Sequence, residues 1–260
     1  MIRTFDLMNS SGEAYNLTVT NRYTGFMSIA DGLGFESGTE YQRVGDEYEP
    51  IVDYYNQSVI SGVIQFFKPY EYQKFTAFAL FCQDKDLTLY YRTPTGLFKR
   101  DGAVSKIDKS EGNDSLKVKI DFTTRGLWYQ DIEESSDTDT VVIVNDSMLE
   151  SPCCIEMTGM TKTNGSVGWN QYLSESATLP FMSGTVSGVT LASTDKLYVR
   201  TDIMPYKIYM DSSGTITDLY SKSNFATQRF MHIQHGYNKF KCLETGSKIS
   251  VKGRIYYETV

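Results

Sequence analysis

Apolar and polar residues alternate along most of the chain, and one stretch breaks that rhythm for a helical one. Near the start, Ile2–Asn9 is followed by Ser11-Gly12 and then by Tyr15, Leu17 and Val19 between polar neighbours, which predicts a hairpin with one buried face. Residues 21–50 are rich in glycine and charge, with Leu33, Phe35 and Tyr41 as isolated apolar anchors. They predict a long loop or β-arm, the kind of segment that most often contacts a partner. Val59–Phe67 (VISGVIQFF) is apolar at nearly every position, as a strand covered on both faces would be. After it, Pro69 opens the helical stretch, where Tyr72, Phe75, Phe78, Ala79 and Cys82 fall three or four apart on one face. Leu87–Arg92, Leu97–Ile107 and Leu116–Phe122, separated by Pro94-Thr95-Gly96 and Glu111-Gly112-Asn113-Asp114, read as a meander. Residues 1–130 are therefore expected to form one mostly β domain carrying a single helix.

Residues 131–150 hold seven acids and no base, which predicts an acidic, solvated linker. Beyond it come short alternating runs: Cys153–Met157, Lys196–Arg200, Tyr206–Met210, Phe230–Ile233, Lys248–Val251 and Arg254–Glu258. With turns between them, such as Asp211-Ser212-Ser213-Gly214, residues 151–260 have the pattern and size of an all-β sandwich. The Ser/Gly-rich stretch Ser183-Gly184 to Ser187-Gly188 reads as loop.

Composition narrows the function. The chain has 260 residues, 40% hydrophobic and 22% charged, enough to build two cores. Its 19 Tyr and 14 Phe suit pleated, half-buried surfaces and protein interfaces. A net charge of −7, shared as −3 over residues 1–130 and −4 over 131–260, excludes the lysine and arginine clusters that grip phosphates. An acidic protein can instead line a pore past which DNA slides without sticking. The N-terminus turns polar within a few residues, so it reads as a cytoplasmic product without a secretory signal. No apolar run approaches the roughly 18 residues of a membrane-spanning helix. Cys82, Cys153, Cys154 and Cys242 are too few and too unevenly spaced for a disulfide framework and read as reduced thiols.

Catalytic chemistry finds little support. His232 and His235, the only histidines, lie three apart, which in a strand puts them on opposite faces, so no metal site is expected. Gly32-Leu33-Gly34 lacks the third glycine and the βαβ setting of a dinucleotide site, and no phosphate-binding Gly-Lys-Ser/Thr signature occurs, so no cofactor is expected. Glu156 or Glu175 could face another acid across a cleft, but 32 acids guarantee such pairings by chance. Trp169, in Gly168-Trp169-Asn170-Gln171-Tyr172, is the one candidate for an exposed carbohydrate or partner contact, against the alternative of a core tryptophan.

Several blocks, in order, resemble the distal tail protein family of phages with long flexible tails. They are Phe5-Asp6-Leu7 with Asn9-Ser10 and Tyr15, SGVIQFF, the aromatic helix after Pro69, LTLYYRTPTGLFKRDG, and SKIDKSEGNDSLKVKIDFTTRGLWYQ with Lys109, Glu111, Phe122, Trp128 and Tyr129. The second half is similar more weakly, through Cys154–Gly159 and Arg254–Glu258. The resemblance implies an N-terminal β-sandwich-like ring domain with one helix, then a C-terminal galectin-like β-sandwich used for docking, with residues 250–260 able to return to the first domain. It implies a homohexameric hub in the virion, assembled in the host cytoplasm, that joins the tail tube protein to the tail-tip protein. Receptor-binding or baseplate proteins attach at its periphery, DNA crosses its channel without specific binding, and no membrane is involved. The alternative reading is a carbohydrate-binding adhesin module centred on Trp169.

Overall fold

The computed structural model describes residues 3–18, 25–44, 47–112, 115–224 and 230–260. The chain divides into two compact units, Met1–Gln130 with Tyr257–Val260, and Asp131–Tyr256. Among the described residues the protein is mainly antiparallel β with one α-helix.

Unit 1 holds β1 (Thr4–Met8), β2 (Ala14–Asn16), β3 (Phe26–Asp31), β4 (Ser37–Val44), β5 (Glu47–Tyr55), β6 (Val59–Phe67), α1 (Glu71–Phe81), β7 (Leu87–Arg92), β8 (Leu97–Glu111) and β9 (Ser115–Thr124). The strand that organises it is β8. Its first residues, Leu97 to Gly102, pair with β7, which pairs with β1, which pairs in turn with β2; from Gly102 to Glu111 it pairs with β9, which leads to β6 and β3. One long strand thus serves two ladders. Alternation decides what goes inside: Leu116, Val118, Ile120 and Phe122 of β9 meet Ile60, Ile64 and Phe66 of β6 in one apolar core.

Two expectations for this unit change. β6 buries only alternate residues, leaving Val59 45% and Phe67 38% exposed, although its sequence suggested cover on both faces. The reason is that α1 packs on the core side, where Phe78 and Phe75 meet Phe66 at centroid distances of 5.8 and 6.1 Å, and the other face of β6 stays half-buried to exposed. The helix starts at Glu71, two residues beyond the proline, after Tyr70 turns through a left-handed conformation (φ 75°). Phe78 and Cys82 are buried as the spacing predicted, but Tyr72 is 50% exposed.

β10 (Trp128–Ser136) begins in unit 1, where Tyr129 pairs with Lys99, and continues in unit 2. Unit 2 adds β11 (Thr140–Asn145), β12 (Ser151–Thr158), β13 (Lys162–Tyr172), β14 (Met182–Leu191), β15 (Lys196–Arg200), β16 (Lys207–Ser212), β17 (Thr215–Asp218), β18 (Ser223–Asn224), β19 (His232–Ile233), β20 (Gly236–Cys242) and β21 (Lys248–Tyr257). One sheet runs β17–β16–β15–β12–β21–β10 and a second runs β11–β20–β13–β14–β18. Both contribute to one core, with Ile155, Leu197 and Val251 from the first and Ile143, Val186 and Phe240 from the second. This is a two-sheet sandwich.

Residues 131–150 are not a linker. The end of β10, with Asp131, Glu133 and Glu134, and all of β11 lie there, and Asp137 and Asp139 sit in the bend between the two strands. Glu133 pairs with Lys252 at 2.6 Å and Asp137 with Lys248 at 2.6 Å, both lysines from β21. A run of acids looks like a linker until its cationic partners, more than 100 residues away along the chain, are in place. The Ser/Gly-rich stretch at 183–188 also changes from loop to strand β14. Its Gly184 lies beneath the Trp169 indole, where an added Cβ would fall 2.2 Å from Cε2, so the glycine makes room for a ring rather than a turn. At the far end, Tyr257 belongs to unit 1, edge-on to Phe98 at 5.1 Å and donating its hydroxyl to Gln130 Oε1 at 3.0 Å.

Candidate interaction surface

The groups that could carry chemistry are dispersed or engaged. His232 Nδ1 lies 3.1 Å from the Phe230 carbonyl and His235 Nδ1 lies 2.8 Å from that of Ser147. Glu156 pairs with Lys196 at 3.0 Å, and Glu175 accepts Lys239 through its main-chain carbonyl. Among the described residues no three of His, Cys, Asp and Glu gather as metal ligands, and no helix is long and apolar enough to cross a membrane. Trp169 is 3% exposed, one wall of the unit 2 core, so in this structure its ring offers no platform to a sugar or partner. The sequence left that position open because neighbouring residues cannot show which face of a strand is covered.

The four cysteines are free thiols. Burial pushes Cys82 and Cys153 up to about 12 and Cys154 to about 11, which keeps the proton on sulfur and removes the nucleophile. Native protein at neutral pH is therefore expected to resist iodoacetamide at Cys82 and Cys153, with labelling appearing only on unfolding. Peptide mass spectrometry checks this, and rapid labelling of the folded chain would contradict it.

Unit 1 offers a surface of another kind. Among the described residues β4 and β5 pair only with each other, as a two-stranded sheet separate from the other strands. Ser37 to Tyr55 carries five acids and one base. Its Tyr41 is 60% exposed, and Glu40, Gln42, Glu47 and Glu49 also face solvent. A lone two-stranded ribbon is marginal in water, because it has too little apolar face to bury. At its root the geometry is tight: Asn56 donates its amide to the Glu36 carbonyl at 2.8 Å, and Phe35 meets the Tyr55 ring edge-on at 5.8 Å. The hairpin is thus an acidic arm, closed at its base, with Glu40, Tyr41, Gln42, Glu47 and Glu49 exposed along its length. The sequence pointed to this segment through its length and its isolated aromatics.

Residues 4–125 match the family model for the distal tail protein, N-terminal domain. No curated protein matches the chain. Among solved structures, the Dit protein of phage SPP1 is similar over 96% of this chain and 98% of its own, with a TM-score of 0.67 at 11% identity. A chain of the phage P2 baseplate, in its activated conformation with calcium, is similar over 100% of both chains, with a TM-score of 0.58 at 15% identity. At such identities the likeness is one of fold, and it extends over both units. The match over residues 4–125 takes in just under half of the chain, and it makes the first unit similar to the N-terminal domain of distal tail proteins.

Proposed function

We propose that this protein is a structural hub at the tip of a phage tail, and that its copies close into a six-fold ring. In this reading unit 1 builds the ring around a channel, joining the tail tube to the tail-tip protein. Unit 2 faces outward and offers its surface to receptor-binding or baseplate proteins. The protein works by geometry and adhesion rather than by turnover, without a cofactor. It is assembled in the host cytoplasm and carried in the virion.

The observation that carries the reading is the β4–β5 arm, in the unit that matches the distal tail family. Its exposed Tyr41 is of the residue type enriched at protein interfaces, and a second copy packs against that exposed face. The SPP1 relative is described as a paradigm of the hub adsorption apparatus of phages infecting Gram-positive hosts, which supports the position at the tail tip. The net charge of −7 suits a channel wall from which DNA phosphates are repelled.

The test is to image the purified full chain by electron microscopy across a concentration series, alone and with its tail tube protein. Six-fold rings are expected. A chain that stays monomeric throughout, with and without the tube protein, would sink the reading.

A further inference from the structure

Arg100 is 1% exposed, and its guanidinium, charged at neutral pH, spends its hydrogen bonds on neutral oxygens. Burial lowers its pKa only to about 10. Such a charge is costly to bury, and an apolar residue would fill the space without that cost. What an apolar residue cannot do is hold three chain segments at once. Arg100 Nη1 donates to the Gly34 carbonyl at 3.0 Å, just before β4, and Nη2 donates to Ser58 Oγ at 2.7 Å, just after β5. Nε donates to the Gly126 carbonyl at 2.7 Å, in the turn before β10. The two legs of the arm are therefore gripped by the two ends of one planar fork.

Neighbouring contacts act at the same place. Trp128 lies under the guanidinium, 5.5 Å from its ring, and donates Nε1–H to the Leu33 carbonyl at 2.7 Å. Gly32, at φ 79°, approaches β6 so closely that a Cβ would fall 2.2 Å from the Val59 carbonyl oxygen. Ser58 is itself fixed, with its carbonyl accepting the Thr124 hydroxyl at 2.9 Å. Gly32-Leu33-Gly34, a glycine pair without a nucleotide to bind, is thus the root of the arm.

We propose that Arg100 is the positioning residue of the β4–β5 arm, joining both of its legs to the body of unit 1 so that the arm is presented in one direction for assembly. The assembly part rests on the ring reading above; the control of the arm root does not.

Site-resolved hydrogen exchange on the full chain tests it. In the wild-type protein the Asn56 amide, at the arm root, should exchange as slowly as the β6 amides. In Arg100→Lys the charge stays, but a single ammonium cannot span the three oxygens. Asn56 exchange should then rise about 100-fold, the loss expected for two charge-assisted hydrogen bonds at about tenfold each, while β9 amides stay protected. Ring formation should fall with it. Trp128→Phe removes the bond to Leu33 and shrinks the ring under the guanidinium, and should raise Asn56 exchange about tenfold, which supplies the answer if the Arg100 variant does not fold. The proposal is overturned if wild-type Asn56 exchanges as fast as the exposed amides of the arm, or if Arg100→Lys or, where that does not fold, Trp128→Phe leaves it unchanged. A chain lacking the arm separates the two readings. If it still forms rings, the assembly role of the arm fails while the exchange result stands for Arg100. If it does not, and Arg100→Lys assembles like wild type, the role of Arg100 fails alone.

Discussion

Trp169→Ala is expected to destabilise unit 2 by about 3–5 kcal/mol, the cost of removing a large buried ring and leaving its cavity. The ring is enclosed by the core of the sandwich, and β13 holds it between β20 and β14, with Trp169 opposite Cys242 on one side and Gly184 on the other. Gly184→Ala should cost about 1–3 kcal/mol by the opposite route, because the new methyl would lie 2.2 Å from Cε2 and 2.3 Å from Nε1 of an indole with no room to retreat. The double variant should be more stable than the two losses added together, since the cavity left by the ring accepts the methyl. Urea unfolding followed by circular dichroism measures each term, and in the variants carrying Trp169→Ala the fluorescence of Trp128, the remaining tryptophan, reports unit 1 separately. Losses below about 1 kcal/mol for both single variants would show that this packing does not hold the sandwich together.

Removing the arm is expected to abolish self-association while leaving unit 1 folded. The Glu36 carbonyl and the Asn56 amide are 2.8 Å apart, so two glycines can replace Ser37–Tyr55 without pulling on the body of the unit. No described side chain of β4 or β5 belongs to the buried core of unit 1. The arm-less chain should therefore keep most of its thermal stability, yet sediment as a monomer where the full chain forms rings. An apparent association at least about 100-fold weaker is expected, equivalent to about 2.8 kcal/mol for each interface between neighbouring copies. Rings of normal size from the arm-less chain would move the assembly surface elsewhere on unit 1.

The strands that could be read from the sequence are those whose information is local. LTLYYR at 87–92 alternates and forms β7, and KLYVR at 196–200 forms β15 with no change of boundary. Both bury alternate residues, because a period of two depends only on the chain itself. β13 and β14 escaped because glycine and serine carry turn signals. Gly184 is glycine for the sake of a ring on the neighbouring strand, which no window along the chain contains. Arg100 left a trace: it shares the parity of Phe98 and Val104 on β8 and so faces inward. A charged residue on a buried parity is the signal by which such an anchor can be found.

The alternation of the chain by itself determined that the protein is mainly β, and its single three-to-four rhythm located the one helix. The ordered blocks of the first half carried the likeness to distal tail proteins, and the counts of acid and base argued against a basic nucleic-acid grip. Those properties depend on residue type and on neighbours a few positions away. Only the tertiary structure decided that Trp169 is a core residue, that Glu133 and Asp137 pair with lysines of β21, and that, among the described residues, β4 and β5 stand apart from the other sheets. It also joined Tyr257–Val260 to the first unit, and it closed one guanidinium on both legs of the arm. Each of these brings together residues far apart along the chain, and such pairings exist only once the chain has folded.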